Sequence, residues 1–269
     1  MVGNIPDVSV IVPAYNEEGT ISDVIYELLK IRSEFLSLEI IVVDDGSLDG
    51  TSRKASKFSS ITLIKHPKNR GKGAALKTGF DAARGRVIVV QDADMEYAPC
   101  EIPHLIKPIL AGEADVVYGS RLRGKPRGMS FSHFLGNVAL SKVASLLYQK
   151  NVTDIMTGYK AFSRDAITAV DLKENGFCVE VELTATILKN GWTFQEVPID
   201  YVYRSLGVSK IRNQDGLRSL LHLFTSALSK AETKNGKSHL AFERHKMYCL
   251  DKNLEKVKPI SKELPITSN

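Results

Sequence analysis

From Val8 onward, short β-branched runs alternate with stretches whose apolar residues recur at helical spacing, and this alternation restricts the fold more than any other feature. The runs are 8–12, 39–43, 61–64, 87–90 and 115–118; Ile21, Val24, Ile25, Leu28 and Leu29 mark the first helical stretch. Strands that are apolar throughout, with helices between them, predict an α/β fold: an open, mainly parallel sheet covered by helices on both faces. In such sheets ligands bind beyond the carboxyl ends of the strands.

The alternation stops near Gly119. Beyond it the sequence predicts an Arg- and Gly-rich loop over 121–128, a helix over 133–149, strands over 192–197 and 199–203, and a helix over 215–228. The last carries Leu217, Leu220, Leu221, Phe224, Ala227 and Leu228 on one stripe, which can serve either a domain core or a membrane surface. Residues 1–229 are expected to form one domain, and the Lys-rich segment 230–269 a loosely ordered tail.

The 269-residue chain has a formal net charge of only +5, but the charge is unevenly placed. Residues 1–120 hold 13 basic and 17 acidic side chains, whereas 121–153 hold 6 basic and no acidic ones. A protein that tracks nucleic-acid phosphates shows a larger excess, so that partner is set aside. No stretch approaches the roughly 18–20 apolar residues of a membrane-spanning helix, and the N-terminus lacks the pattern of a secretory signal. The expectation is a cytoplasmic protein without a transmembrane helix, peripheral on the cytoplasmic face of a membrane. Cys100, Cys178 and Cys249 are odd in number and widely spaced, which suits neither a disulfide framework nor a metal knuckle. His66, His104 and His133 show no ligand spacing and are expected at the surface or as caps.

Three apolar strands end in polar or acidic clusters: 13–18 (Pro-Ala-Tyr-Asn-Glu-Glu), 44–47 (Asp-Asp-Gly-Ser) and 92–94 (Asp-Ala-Asp). A parallel sheet brings such ends to one crevice. Just past a strand, Asp92 and Asp94 can approach one hard cation, and Glu96 could add an oxygen; Mg²⁺ and Mn²⁺ are commonly held by one or two carboxylates plus substrate phosphates. No Gly-x-x-x-x-Gly-Lys-Ser/Thr occurs and no Gly-x-Gly-x-x-Gly follows the first strand, which disfavours an NTPase or a nicotinamide dehydrogenase. A nucleotidyltransferase would be expected to carry a Gly-rich loop where Pro13 to Glu18 has none.

Taken together, Val-Ser-Val-Ile-Val-Pro-Ala-Tyr-Asn-Glu-Glu, Val-Val-Asp-Asp-Gly-Ser-Leu-Asp-Gly-Thr, Asn-Arg-Gly-Lys-Gly-Ala-Ala and Gln-Asp-Ala-Asp resemble the family 2 glycosyltransferases of GT-A fold. Gly119-Ser120-Arg121, Thr153-Asp154 with Thr157-Gly158-Tyr159-Lys160, and Arg204 with Gly207, Ser209 and Lys210 are similar to the polyprenyl (dolichyl) phosphate mannosyl- and glucosyltransferases, over about residues 8–228. The resemblance implies that Pro13, Tyr15, Glu17 and Asp44 hold the base and ribose of a nucleotide sugar, GDP-mannose or UDP-glucose. Lys72 and Asp92 join that donor site, Asp92, Asp94 and Glu96 surround a Mg²⁺ or Mn²⁺ ion, and Arg121, Arg127, Arg204, Ser209 and Lys210 receive the diphosphate and the acceptor phosphate. Asp94, Arg121 and Asp154 are the candidate catalytic residues; Asp154 is equally open to a role as a helix cap or as the structural partner of an Arg. Glu182, on a helix that also carries Glu180, is a candidate for a donor-sugar hydroxyl.

The expected reaction is an inverting transfer of a hexose to a polyprenyl phosphate, with a saccharide or other hydroxyl acceptor as the alternative. A phosphate monoester is mostly a dianion at neutral pH and needs little help from a base, whereas a sugar hydroxyl needs one in reach. Positioning an anion needs cations, and Arg121, Arg123, Lys125 and Arg127 supply them. Members often append C-terminal transmembrane helices; none is present in this sequence, so contact with a membrane surface is expected through the domain itself or a membrane protein partner.

Overall fold

The computed structural model describes residues 6–35, 37–202 and 213–228, without the side chains of 125–127 and 213–217. Seven strands form one sheet in the order β3-β2-β1-β4-β6-β5-β7. They are β1 (Val8–Ala14), β2 (Leu38–Asp44), β3 (Thr62–Lys65), β4 (Val87–Val90), β5 (Val116–Arg127), β6 (Lys160–Ser163) and β7 (Phe194–Val202). All neighbours are parallel except β6, which runs antiparallel to both β4 and β5. The reversed β6 starts at the edge where the others end: Lys160 pairs with Val90 and with Tyr118. The loop entering β6 therefore reaches the same crevice as the strand-end clusters.

Alternation along the strands builds two cores. On one face Val8, Val10 and Val12 of β1 meet Val24, Ile25 and Leu28 of α1 (Ile21–Lys30) and Leu105, Ile106 and Ile109 of α4 (Ile102–Leu110). On the other, Ile11, Ile41 and Val43 meet Ala75 and Leu76 of α3 (Lys72–Ala82) and Val179, Leu183 and Ile187 of α7 (Val179–Lys189). Two short helices, α2 (Thr51–Ala55) and α6 (Arg164–Thr168), complete the connections. Burying such side chains contributes roughly 1.5–3 kcal/mol each, which fixes strand register by keeping every second residue inside.

Beyond Gly119 the structure departs from expectation in three places. The stretch expected as a loop is the second half of a 12-residue β5, continuous with β7 apart from a register shift between Ser120 and Lys125. Gly124 sits in this bulge, where a Cβ would overlap the Ile199 carbonyl oxygen. The two strands expected near 192–203 are one, because Pro198 lies opposite Ser120 at the edge of the sheet, where its missing N–H breaks no ladder. The last helix, α8 (Asn213–Leu228), turns Ser219 and Leu223 inward, so Leu221, Phe224 and Leu228 of the expected stripe are 58%, 43% and 86% exposed while Leu220 and Ala227 are partly buried; the Leu217 side chain lies outside the described residues. Segment 230–269 lies outside the described residues.

The 3₁₀ turn Pro99–Glu101 is tied to β7 by the Asp200 N–H donating to Glu101 Oε1 at 3.3 Å. Burial pushes the Glu101 carboxyl from 4.5 up to about 6, with the Asp200 N–H pulling the other way. The folded protein thus holds this proton more tightly than the unfolded chain, so stability falls as pH rises from about 4.5 to about 6. Discounted for partial exposure, the loss is about 1 kcal/mol. Urea midpoints between pH 4 and 7 should show that decline in the wild type and a flatter profile in Glu101→Gln.

Candidate active site

The sheet order β2-β1-β4 brings the first two clusters together at the carboxyl edge, with the third beside them. Ala14 pairs with Asp44, and the following turns are stitched across: Asn16 N donates to Ser47 Oγ at 3.0 Å, Leu48 N to Asn16 Oδ1 at 2.8 Å and Glu17 N to Thr51 Oγ1 at 2.8 Å. Pro13, Tyr15 and Glu17 are partly buried on this rim, and Asp44 is buried with Oδ1 accepting from Ser47 N at 3.0 Å. Asn16 takes a left-handed conformation (φ 52°) that Asn tolerates better than most residues, so the chain can turn away from the strand there.

Asp45, next to Asp44, anchors the approach to Lys72. Its carboxylate accepts from Arg70 N at 3.0 Å and from Gly71 N at 2.7 Å, and lies 2.6 Å from His66 Nδ1. His66 is buried, with Nε2 2.9 Å from Thr78 Oγ1; it is neither at the surface nor a cap, because it braces the third crossover between Asp45 and α3.

Lys72, the first residue of α3, places Nζ 2.7 Å from Asp92 Oδ1 and 2.9 Å from Glu180 Oε1. Glu180 Oε2 is ion-paired in turn with Lys160, whose ammonium also donates to Thr157 O at 2.5 Å and Ile155 O at 3.3 Å. Burial alone would weaken the Lys72 charge, but the two carboxylates outweigh it and hold the group well above the ordinary lysine range. The Lys160 ammonium is pushed down, by burial first and by Lys72 nearby, against the pull of Glu180.

Asp92 and Asp94 follow β4, both partly buried, and Asp94 Oδ1 accepts from Glu96 N at 3.2 Å. The three acids expected around a cation do not meet as one cluster. Among the described residues no three His, Cys, Asp or Glu side chains converge to hold a metal, and Glu96 Oε2 instead accepts from Tyr201 Oη at 2.9 Å. Two carboxylates remain, and Gly158 leaves a space beside Asp92 that a Cβ would fill, overlapping Asp92 Oδ2 and lying 3.2 Å from Lys72 Nζ. An all-oxygen pair open to solvent on one side fits Mg²⁺ or Mn²⁺, which complete their shells with water and phosphate. Gly158→Ala should leave the fold intact, since the overlap is with the far end of a side chain, and should lower Mn²⁺-dependent nucleotide binding roughly tenfold by displacing Asp92. Calorimetric titration would measure it.

A second buried network lies beside the first. At the β5 bulge the Arg121 side chain turns inward, and Asp154 accepts four hydrogen bonds: from Arg121 N, Nε and Nη2 at 2.9, 2.8 and 2.8 Å and from Asn137 Nδ2 at 2.6 Å. Bulges near active sites commonly re-aim a side chain in this way. Asp154 is wholly buried and those four bonds use its lone-pair capacity; of the roles open to it, this geometry is that of the structural partner of Arg121. Burial would raise its carboxyl, yet the Arg121 charge and the hydrogen bonds hold it below the usual carboxylate range. Glu196 anchors the same turn, accepting from Thr153 N at 2.9 Å and Asp154 N at 3.1 Å. The Arg121 guanidinium also lies 5.3 Å from the Tyr201 ring centroid, linking this network to Glu96.

Both carboxylate oxygens of Glu182, the candidate for a donor-sugar hydroxyl, are engaged by the backbone. They accept from Lys173 N at 2.8 Å and Glu174 N at 2.9 Å, holding the loop whose Asn175 carbonyl accepts from Gly73 N at 2.7 Å. It supports the start of α3 from behind. Arg204, Ser209 and Lys210, and the Arg127 side chain, lie outside the described residues. Glu180, Lys160, Glu196 and Asn137 are buried site residues to which the sequence assigns no role.

The sequence profile of glycosyl transferase family 2 matches residues 9–170, which hold both networks except Glu180, Glu196 and Tyr201. The chain belongs to this family. Among its relatives, the polyprenol monophosphomannose synthase of Mycolicibacterium smegmatis is 33% identical over 217 residues, 75% of this chain and 80% of the relative. The dolichol-phosphate mannosyltransferase of Pyrococcus furiosus is 32% identical over 231 residues, 81% of this chain and 62% of that longer protein. Among solved structures, glucosyl-3-phosphoglycerate synthase from Mycobacterium tuberculosis, in complex with Mn²⁺, UDP and phosphoglyceric acid, superposes with a TM-score of 0.66 at 25% identity, covering 86% of this chain and 80% of the other. This glycosyltransferase therefore has the GT-A architecture that its motifs resemble.

Proposed function

We propose that this family 2 glycosyltransferase transfers a hexose from GDP-mannose or UDP-glucose to a polyprenyl phosphate at a membrane surface. Support comes from the names of the two relatives and, in the structure, from the first turns of α5 (Phe131–Tyr148), which expose apolar side chains while the second half packs Leu140, Val143, Ala144 and Leu147 into a core. Its buried positions include Asn137 and Ser141, turned to Asp154 and the Ile155 N–H, while Phe131 is 79% and Leu135 54% exposed. A helix with water outside shows the reverse pattern. The exposed apolar turn directly follows β5, in the segment 121–153 that has six basic residues and no acid. Basic residues contribute on the order of 1 kcal/mol each near an anionic bilayer, so several acting together suffice for reversible docking. No helix among the described residues is long and apolar enough to cross a membrane.

The chemistry follows from the two networks. The departing nucleoside diphosphate gains negative charge, and a Mg²⁺ or Mn²⁺ held by Asp92 and Asp94 would stabilise it. Lys72 supplies a fixed positive charge beside Asp92, held by Glu180. Asp154 holds Arg121 in one orientation at the β5 rim, the side from which an anionic acceptor arrives. A phosphate dianion needs no general base, which suits a site whose buried Asp154 is fully occupied.

The test is a matrix of labelled GDP-mannose and UDP-glucose against detergent-solubilised polyprenyl phosphate, a free saccharide and phosphoglyceric acid. Lipid-extractable label is the expected result. Its absence with every donor overturns the lipid acceptor, and label in the saccharide arm alone supports a hydroxyl acceptor instead. Replacing Phe131, Phe134 and Leu135 by Ser should cut sedimentation with anionic liposomes at least tenfold while leaving the melting temperature within a few degrees.

A further inference from the structure

Four charged side chains alternate in a line that runs from the partly buried Asp92 and Lys72 at the donor site to the buried Glu180 and Lys160 inside the domain. Lys160 is fixed from below by the Ile155 and Thr157 carbonyls, and it pairs with Glu180 Oε2, leaving Oε1 to Lys72. Glu180 is thereby held in one orientation from the first turn of α7. Lys72 is divided between two carboxylates, with its ammonium 2.7 Å from Asp92 Oδ1 and 2.9 Å from Glu180 Oε1. The space beside Gly158 borders Asp92 Oδ2 and lies 3.2 Å from the Lys72 ammonium, so a divalent cation taken up by this carboxylate would sit close to that ammonium and the two positive charges would repel.

We propose that Lys72 competes with the divalent cation for Asp92, and that Glu180, by retaining the ammonium once the cation arrives, sets how strongly the two compete. Glu180 is then a positioning residue of the donor site. With its charge present, Lys72 can release Asp92 and stay paired; without it, Asp92 becomes the remaining carboxylate of the pair and the cation must displace a lysine with nowhere to go. The inference rests on the reading of Asp92 as a metal ligand. It adds a direction that reading lacks: removing Glu180, which does not touch the cation, weakens metal binding, and removing Lys72 strengthens it.

The experiment follows free Mn²⁺ by electron paramagnetic resonance as it is titrated into the full chain, with GDP or UDP, whichever binds more tightly, held saturating for each variant. Glu180→Gln should lower Mn²⁺ affinity about tenfold, and Lys72→Met should raise it several-fold. The double variant Glu180→Gln/Lys72→Met should match Lys72→Met, because without the lysine Glu180 has nothing to retain; a general loosening of the site would not be rescued in this way. Glu180→Gln/Lys160→Met, which avoids stranding the buried Lys160, should show the same loss as Glu180→Gln. Unchanged affinity in both Glu180 variants, weaker binding in Lys72→Met, or a loss that persists in the double variant with Lys72→Met overturns the proposal. A wild type that takes up no Mn²⁺, or an Asp92→Asn that binds it equally well, overturns instead the metal-ligand reading beneath it.

Discussion

Asp94→Asn is expected to lower the turnover number at least about a hundredfold with the fold unchanged. The two halves of that expectation have separate physical causes. Asp94 lies in a partly exposed turn just past β4, where its Oδ1 accepts from Glu96 N at 3.2 Å. Asn keeps an oxygen there, so the turn survives and stability should stay within about 0.5 kcal/mol of the wild type. What Asn loses is the negative charge, and with it half of the two-carboxylate pair available to a cation. The charge on the leaving diphosphate then has fewer groups to stabilise it as the sugar bond breaks. Steady-state assays over a Mn²⁺ series, with a urea unfolding curve beside them, separate the two effects. Wild-type turnover in Asp94→Asn, or wild-type protein that works unimpaired in excess chelator, would falsify the metal role.

The parallel half of the sheet is legible in the sequence because each element there is decided locally. Val87 to Val90 is apolar on both faces and short, and the helix after β1 repeats Ile21, Val24, Ile25 and Leu28 at the spacing of one helical face. The second half is less legible because long-range contacts decide it. Nothing local says that 121–127 extends as a strand; the partner that makes it one is β7, some 80 residues on. On α8 the apolar positions outnumber those that one face can bury, and the packing of Leu223 and Ser219 against the domain selects the face. The site divides similarly. The strand-end acids declare themselves by following apolar runs, whereas Glu180 and Glu196 read as ordinary solvated acids until their partners Lys160, Lys72 and Thr153 are placed in space. One signal was available: Asn137, Ser141 and Ala144 stand at positions i, i+4 and i+7 of α5, a small polar face on a helix otherwise rich in apolar residues.

Breaking the Arg121–Asp154 pair should have the largest effect on stability of any single change at the site. Asp154 is wholly buried, and its two oxygens accept from Arg121 Nε and Nη2 in a bidentate pair, each at 2.8 Å. Removing one partner strands the other charge away from water, which costs about 3–5 kcal/mol. Asp154→Asn and Arg121→Met should therefore each shift the urea midpoint strongly, and the double variant should be no worse than either single one, because neither charge is then left alone. The pH dependence carries the same signature. The Asp154 carboxyl is held below its unfolded value, so its contribution is fully present above about pH 3.8 and is lost as pH falls through the lower folded value. Asp154→Asn should flatten that acid limb of the stability profile, whereas a substitution that merely loosened packing would lower the whole curve and leave its slope unchanged. Transfer should fall in both single variants beyond what unfolding explains, since the guanidinium is absent in Arg121→Met and loses its fixed orientation at the β5 rim in Asp154→Asn; an Asp154→Asn protein that is as stable as the wild type would remove the basis for assigning Asp154 a positioning role.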